Sequence, residues 1–198
     1  MIITYHGRGM IKCQVADEVV AFNPIGKESG QKVTRFGADL VLVSLSDSAY
    51  NGTEAMALGS KTPLVLDGPG EYEARGIFIR GVGSPGPNGK INTVYSVLFD
   101  GIRLMHLGAI TGPLSDDNKE KLGETDILFV PLGFPAAAGL ATELAAKLTV
   151  PVDYDDDKQL EKFLKEVGAP SAERLDRLTI KKKDLIDKEA VTMVINQS

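Results

Sequence analysis

Short apolar runs with alternating or β-branched character dominate the first half of the chain, and helical spacing enters only in the second. Ile2 to Tyr5, Ile11 to Val15 and Val19 to Phe22 read as strands, with Asp17-Glu18 as the tight turn between the last two. A polar stretch from Gly26 to Lys32 follows. Leu40 to Val43 and Pro63 to Leu66 are continuous apolar runs, which suits strands buried on both faces. Glu71 to Gly81 predicts a hairpin around Arg75-Gly76, and residues 83–90 read as a loop on composition. Asn92 to Phe99 and Ile102 to Leu107, joined by Asp100-Gly101, carry the clearest hairpin signal in the chain.

The period then changes. Ser115-Asp116-Asp117 can cap a helix that runs to about Leu122 and stops at Gly123. Ile127 to Val130 reads as a buried strand ended by Pro131, and residues 138–148 are Ala/Leu-rich with helical spacing. Val150 to Val152 is a brief strand. Asp155 to Asp157 open an amphipathic helix (Leu160, Phe163, Leu164, Val167) that ends at Gly168. Leu178 to Ile180 and Val191 to Ile195 are the last strands, separated by a Lys-rich turn. A strand-rich half followed by strands alternating with helices predicts an α/β or α+β sandwich, with helices outside a sheet core and one domain over residues 1–198.

Composition narrows the function classes. With 43 % hydrophobic and 25 % charged residues, the 198-residue chain is an ordinary globular protein, long enough to bury a core without disulfides. The single Cys13 excludes a disulfide framework and a cysteine-rich zinc site. A net charge of −5 disfavours a general nucleic-acid or anionic-membrane surface. Two histidines exclude any metal site that needs three. No apolar run reaches the roughly 18 residues of a membrane span. The N-terminus, Met1 to His6, lacks the pattern of a signal peptide, so a cytoplasmic protein is expected.

An ordered series of segments carries a resemblance. Ile3-Thr4-Tyr5-His6-Gly7, Phe22-Asn23-Pro24, Ala38 to Ser44, Gly68-Pro69-Gly70-Glu71-Tyr72-Glu73, Asn92 to Tyr95, Asp100-Gly101-Ile102, His106-Leu107-Gly108 and Asp126 to Gly133 follow one another in that order. Together they resemble the metallo-β-lactamase fold superfamily, in particular its small bacterial Zn-dependent-hydrolase-like branch, related to ascorbate-phosphate lactonases. The resemblance spans nearly the whole chain and implies a four-layer αββα sandwich. It also implies one or two metal ions, held by a His-x-His-x-Asp-His loop, a later Asp and a late His. Such a metal lowers the pKa of a bound water to about 7 and makes a hydroxide nucleophile.

The residues at those positions break the pattern. The loop reads Leu45-Ser46-Asp47-Ser48-Ala49-Tyr50, so Leu45, Asp47, Ala49 and Tyr50 stand where the resemblance places His, His, Asp and His. Ala109 stands for the later Asp, Asp153 for the late His, and Arg8 for the His of the N-terminal Gly-His pair. A whole set lost in register points to a site that no longer binds metal as the family does. The expected function is therefore non-catalytic: a pseudo-hydrolase acting as a binding or scaffolding module, with no cofactor. Its partner would be a second copy or another protein, and its small-molecule ligand is not identified by the sequence. The alternative is a metal-dependent hydrolase of a small phosphorylated or lactone-type substrate. It would use a remodelled polar site around Arg8, Asp47, His106 and Asp153, with a divalent cation weakly held at Asp47 and Asp153.

Each candidate also has a plainer reading. Asp47 and Asp153 can be solvated loop carboxylates, and Asp155 to Asp157 can favour a helix N-terminus through its dipole. Arg8 can fill the space of a missing cation and pair with Asp47 or Asp153. His6 and His106 read as structural, and Cys13 as a buried strand thiol. Ser44, Ser46 and Ser48 lack a nucleophile elbow. Gly68 to Glu73 lacks the Lys of a phosphate loop, and Gly81-Val82-Gly83 opens no helix. Lys181 to Lys183 reads as a solvated face.

Overall fold

The computed structural model describes all 198 residues. Its strands are β1 (Ile2–Tyr5), β2 (Ile11–Val15), β3 (Glu18–Phe22), β4 (Leu40–Leu42), β5 (Leu64–Leu66), β6 (Gly70–Ala74), β7 (Ile77–Pro85), β8 (Ile91–Phe99), β9 (Ile102–His106), β10 (Ile127–Pro131), β11 (Leu148–Val152), β12 (Glu173–Leu175), β13 (Leu178–Thr179) and β14 (Val191–Ile195). Its α-helices are α1 (Asp116–Leu122), α2 (Ala137–Leu144) and α3 (Asp157–Glu166).

Two sheets form. One has six strands in the order β13-β1-β2-β3-β4-β5; the other has eight in the order β12-β14-β11-β10-β9-β8-β7-β6. They face each other across a core that includes Ile3, Phe22 and Leu42 from one and Tyr95, Phe129 and Val150 from the other. A second core lies between the eight-stranded sheet and all three helices. This is the mixed α/β sandwich that the sequence predicts. On the outer face of the six-stranded sheet the covering layer is built differently. Val19, Ala21, Val41 and Val43 pack under loops with 3₁₀ turns at Lys27–Ser29 and Thr53–Met56, and no α-helix lies there.

The hairpins follow their turn chemistry. Arg75 and Gly76, like Asp100 and Gly101, all have positive φ, the conformation that a two-residue turn between twisted strands requires. Ser115 accepts a hydrogen bond from the Asn118 N–H and Asp156 from that of Gln159, so both predicted caps close a helix start.

Several boundaries differ. The β2–β3 turn falls at Ala16-Asp17, one residue early, because Val15 pairs with Glu18. β5 is not buried on both faces: it is the sheet edge, and Leu64 and Val65 are exposed. Residues 83–85 extend β7 in register with β8, so only the tip around residues 86–90 is irregular. Helix α2 stops at Leu144, where Ala145 turns left-handed, and Leu148 already starts β11. β12 escaped the pattern because it is short and largely exposed. Lys182 is no idle surface charge: with Lys147 it pairs with the Asp126 carboxylate, which also accepts the Arg103 N–H.

Helix α3 docks through Leu160, Phe163 and Leu164, all buried. Leu160→Ala is expected to cost about 2–5 kcal/mol, because a docked helix relaxes little into the cavity. Urea unfolding checks it, with Lys162→Ala, on the exposed face, as the near-neutral control.

Candidate functional site

Strands β1, β3, β4, β9 and β11 deliver their C-terminal ends to one edge of the sandwich, where the segments after them meet. Asn23, just past β3, accepts the Ser44 N–H through Oδ1 at 2.8 Å. Asn92 accepts the Ala109 N–H at 2.7 Å and donates to Ser84 Oγ and the Leu107 carbonyl. Gly108 has a φ of +68°, and a Cβ there would lie 2.3 Å from Asn92 Oδ1 and 2.5 Å from Ser44 Cβ. Only glycine fits that approach.

His106 is fully buried in this floor. Its ring stacks on Phe22 at 5.3 Å and tilts against Phe129 at 5.6 Å. Nδ1 accepts the Gly108 N–H at 2.9 Å, so Nε2 carries the proton and donates to the Gly9 carbonyl at 2.9 Å. Both nitrogens are occupied and the ring is neutral; burial pushes its pKa down to about 4. His6, half-buried, is held between Thr4 Oγ1 and Ser198 Oγ. Burial, with help from Lys12 and Lys32, lowers its pKa to about 4 as well. Cys13 is buried as expected, and burial pushes its thiol up, away from nucleophilic use.

Above the floor lies a charged knot. Asp153, 8 % exposed, accepts from the Arg8 guanidinium at 3.2 Å and from the Tyr50 hydroxyl. Its backbone N–H donates to the Arg8 carbonyl at 2.9 Å and to Tyr5 Oη at 3.0 Å. The same Arg8 nitrogen reaches Asp155 at 3.3 Å. Burial works against the Arg8 charge, but Asp153 overcomes it and raises the guanidinium pKa. Burial and the neighbouring Asp153 carboxylate both raise the Tyr50 phenol. Arg8, Asn23 and Asp153 all have φ near +50°, a conformation that non-glycine residues occupy only when their surroundings impose it.

The other positions singled out in the sequence separate. Leu45 and Ala109 are both buried, leaving neither with a polar role beyond the backbone. Ala49 donates its N–H to Asp47, whose other oxygen faces Lys90 at 3.4 Å. Of the two partners open to Arg8, the structure brings in Asp153, while Asp47 goes to Lys90. Of the four polar residues, Arg8 and Asp153 meet, and His106 is sealed beneath them. No group of three or more His, Cys, Asp or Glu side chains converges anywhere in the chain.

A cavity of about 340 Å³ opens beside Arg8, lined also by Gln31, Lys32, Tyr154, Asp155 and Gln197. Lys32 and Gln197 had no local sequence signal. They arrive through the polar loop after β3 and the final residues of the chain, the latter bridged from Gln197 to Tyr5.

The histidine floor sets a pH dependence. Above pH 6.5 neither the folded nor the unfolded chain carries a charge on His106, and the residue adds no pH effect. As pH falls from 6.5 toward 4, the unfolded chain binds the proton and the folded one does not, so stability falls, by about 3 kcal/mol at 1.36 kcal/mol per pKa unit. His6 acts in the same direction. Denaturant unfolding across this window should show the decline in the wild type, and a shallower one in His106→Gln.

Comparison with known proteins agrees with this architecture. The model of the β-lactamase superfamily domain matches residues 2–153. No curated protein matches the sequence. A Thermotoga maritima protein, provisionally named a Zn-dependent hydrolase of the metallo-β-lactamase superfamily, is 26 % identical, with a TM-score of 0.75 over 98 % of this chain and 96 % of its own. A provisionally named metal-dependent hydrolase from Parabacteroides distasonis is 19 % identical, with a TM-score of 0.62 over 84 % of this chain and 89 % of its own. An isothiocyanate hydrolase from Delia radicum gut bacteria shares the fold at 11 % identity, with a TM-score of 0.64 over 100 % and 97 %. With three quarters of its length matched by the family model and the same two-sheet sandwich, the chain belongs to the β-lactamase superfamily.

Proposed function

We propose that this protein is a non-catalytic member of its superfamily, a binding module in which a salt-bridged knot stands where relatives of this fold hold metal. The observation that carries this reading is the Asp153 carboxylate, buried and already satisfied by the Arg8 guanidinium and the Tyr50 hydroxyl. A metal ion at that position would meet a fixed positive charge, which opposes a second cation. The donor set does not fit zinc either. Zn²⁺ takes imidazole, thiolate and carboxylate ligands, and here both imidazoles are engaged by the protein's own groups. Asp47, the second carboxylate of the alternative reading, is turned to Lys90.

What such a site can do is bind. Arg8 and Lys32 beside the cavity offer donors to an anion, and Asp155, Gln31 and Gln197 supply further polar contacts. The left-handed backbone at Arg8 and Asp153 fits strand ends that hold a fixed side-chain geometry.

Elemental analysis tests the reading. Protein purified without added metal, and after incubation with Zn²⁺, Mn²⁺ and Mg²⁺, is expected to hold well under one equivalent, with a melting temperature that chelator leaves unchanged. Near one equivalent with a chelator-sensitive melt would overturn it in favour of a hydrolase. Arg8→Ala is expected to destabilise the fold by about 1–3 kcal/mol, since it strips a buried carboxylate of its charged partner. Unchanged stability on denaturant unfolding would show that the ion pair is incidental.

A further inference from the structure

A second polar concavity lies on the helix side of the eight-stranded sheet, at the end of β9 opposite His106. Ser96 on β8 is flanked in register by Arg80 on β7 and Met105 on β9, and Met105 packs in the helix-side core. The next row on the same face is Phe78, Leu98 and Arg103. Helix α1 reaches only its border, through Leu122, so the face stays open over a cavity of about 270 Å³.

The polar groups there are incompletely used. Ser96 is 3 % exposed, yet its hydroxyl has no hydrogen-bond partner, which is costly for a buried donor. Arg103 is half-buried, and its guanidinium takes part in no hydrogen bond or ion pair; only its backbone N–H is engaged, by Asp126. Arg80, in contrast, is matched by Glu71 at 2.9 Å and donates to the Lys121 carbonyl. Glu71 therefore balances Arg80, and the cavity keeps one unmatched positive charge. Phe78 lies at its side, 53 % exposed.

We propose that this concavity binds a small carboxylate carrying an apolar group. The Arg103 fork would hold the two carboxylate oxygens, the Ser96 hydroxyl would donate a third hydrogen bond, and Phe78 with Leu122 would cover the apolar part. One unmatched cation suits a monoanion, and a guanidinium matches the planar carboxylate. The cavity is slightly smaller than the usual range for ligand pockets, which fits a single ring or short chain. This site is independent of the knot at Asp153.

Chemical-shift titration of the intact protein with benzoate, benzamide and phenyl phosphate tests the idea. Benzoate is expected to bind saturably, with shifts centred on residues 78–80, 96 and 103, while the uncharged benzamide does not. Arg103→Gln should weaken benzoate at least tenfold, as loss of a charged hydrogen bond implies. Ser96→Ala should weaken it several-fold, with an unliganded melting temperature equal to or above that of the wild type. Absence of saturable benzoate binding, equal binding of benzamide, preference for phenyl phosphate, or insensitivity to both substitutions would each overturn the proposal.

Discussion

A neutral, fully buried imidazole ties the two sheets together. His106 ends a strand of the eight-stranded sheet, donates to the Gly9 carbonyl in the β1–β2 connection of the other sheet, and lies between Phe22 and Phe129, one from each. The rest of the cleft depends on that link. It fixes where the Gly7-Arg8-Gly9 turn sits against the β9 end, and hence where the Arg8 guanidinium points. It also requires glycine at 108, since the N–H that completes the ring's hydrogen bonding comes from a residue pressed against Asn92 and Ser44. A buried polar group of this kind is affordable only because every one of its bonding positions is filled.

The same edge shows how the superfamily's architecture assembles its loops independently of what they carry. The strand ends must bring several loops to one place whatever the loops carry, because the sheet order and the inter-sheet core require it. Once the loops converge, buried charge has to be neutralised locally. In this chain Arg8 neutralises Asp153, and the Tyr50 hydroxyl adds a hydrogen bond to it. A side chain with five donors in a fixed fork supplies the positive charge that this carboxylate needs. Elsewhere on the molecule the reverse holds: Ser96 and Arg103 line one cavity, and no acceptor of the chain pairs with the Ser96 hydroxyl.

Much of this was legible in the sequence, for identifiable reasons. Asp100-Gly101 and Arg75-Gly76 mark hairpins because their turns need positive φ, a local property. Ser115 and Asp156 cap helices through bonds only three residues long. The partnership of Arg8 with one of two carboxylates follows from residue chemistry, and the structure pairs it with Asp153. The errors share a cause. Pro63 to Leu66 is apolar and so reads as doubly buried, but it is the last strand of its sheet, and nothing local says that no strand follows. Residues 83–90 look like a loop by composition, yet pairing with β8 carries β7 through Pro85.

The sequence by itself determined the sandwich and its punctuation, because these depend on periodicity and residue type. Only the tertiary structure decided that Arg8 joins Asp153, 145 positions away, while Lys90 takes Asp47, and that Lys32 and Gln197 line the adjacent cavity. It alone brought Ser96 and Arg103, from successive rows of the sheet, to one cavity. The physical reason is that charge pairing and desolvation act through space at a few ångströms, and which residues share that space is fixed by strand order and register.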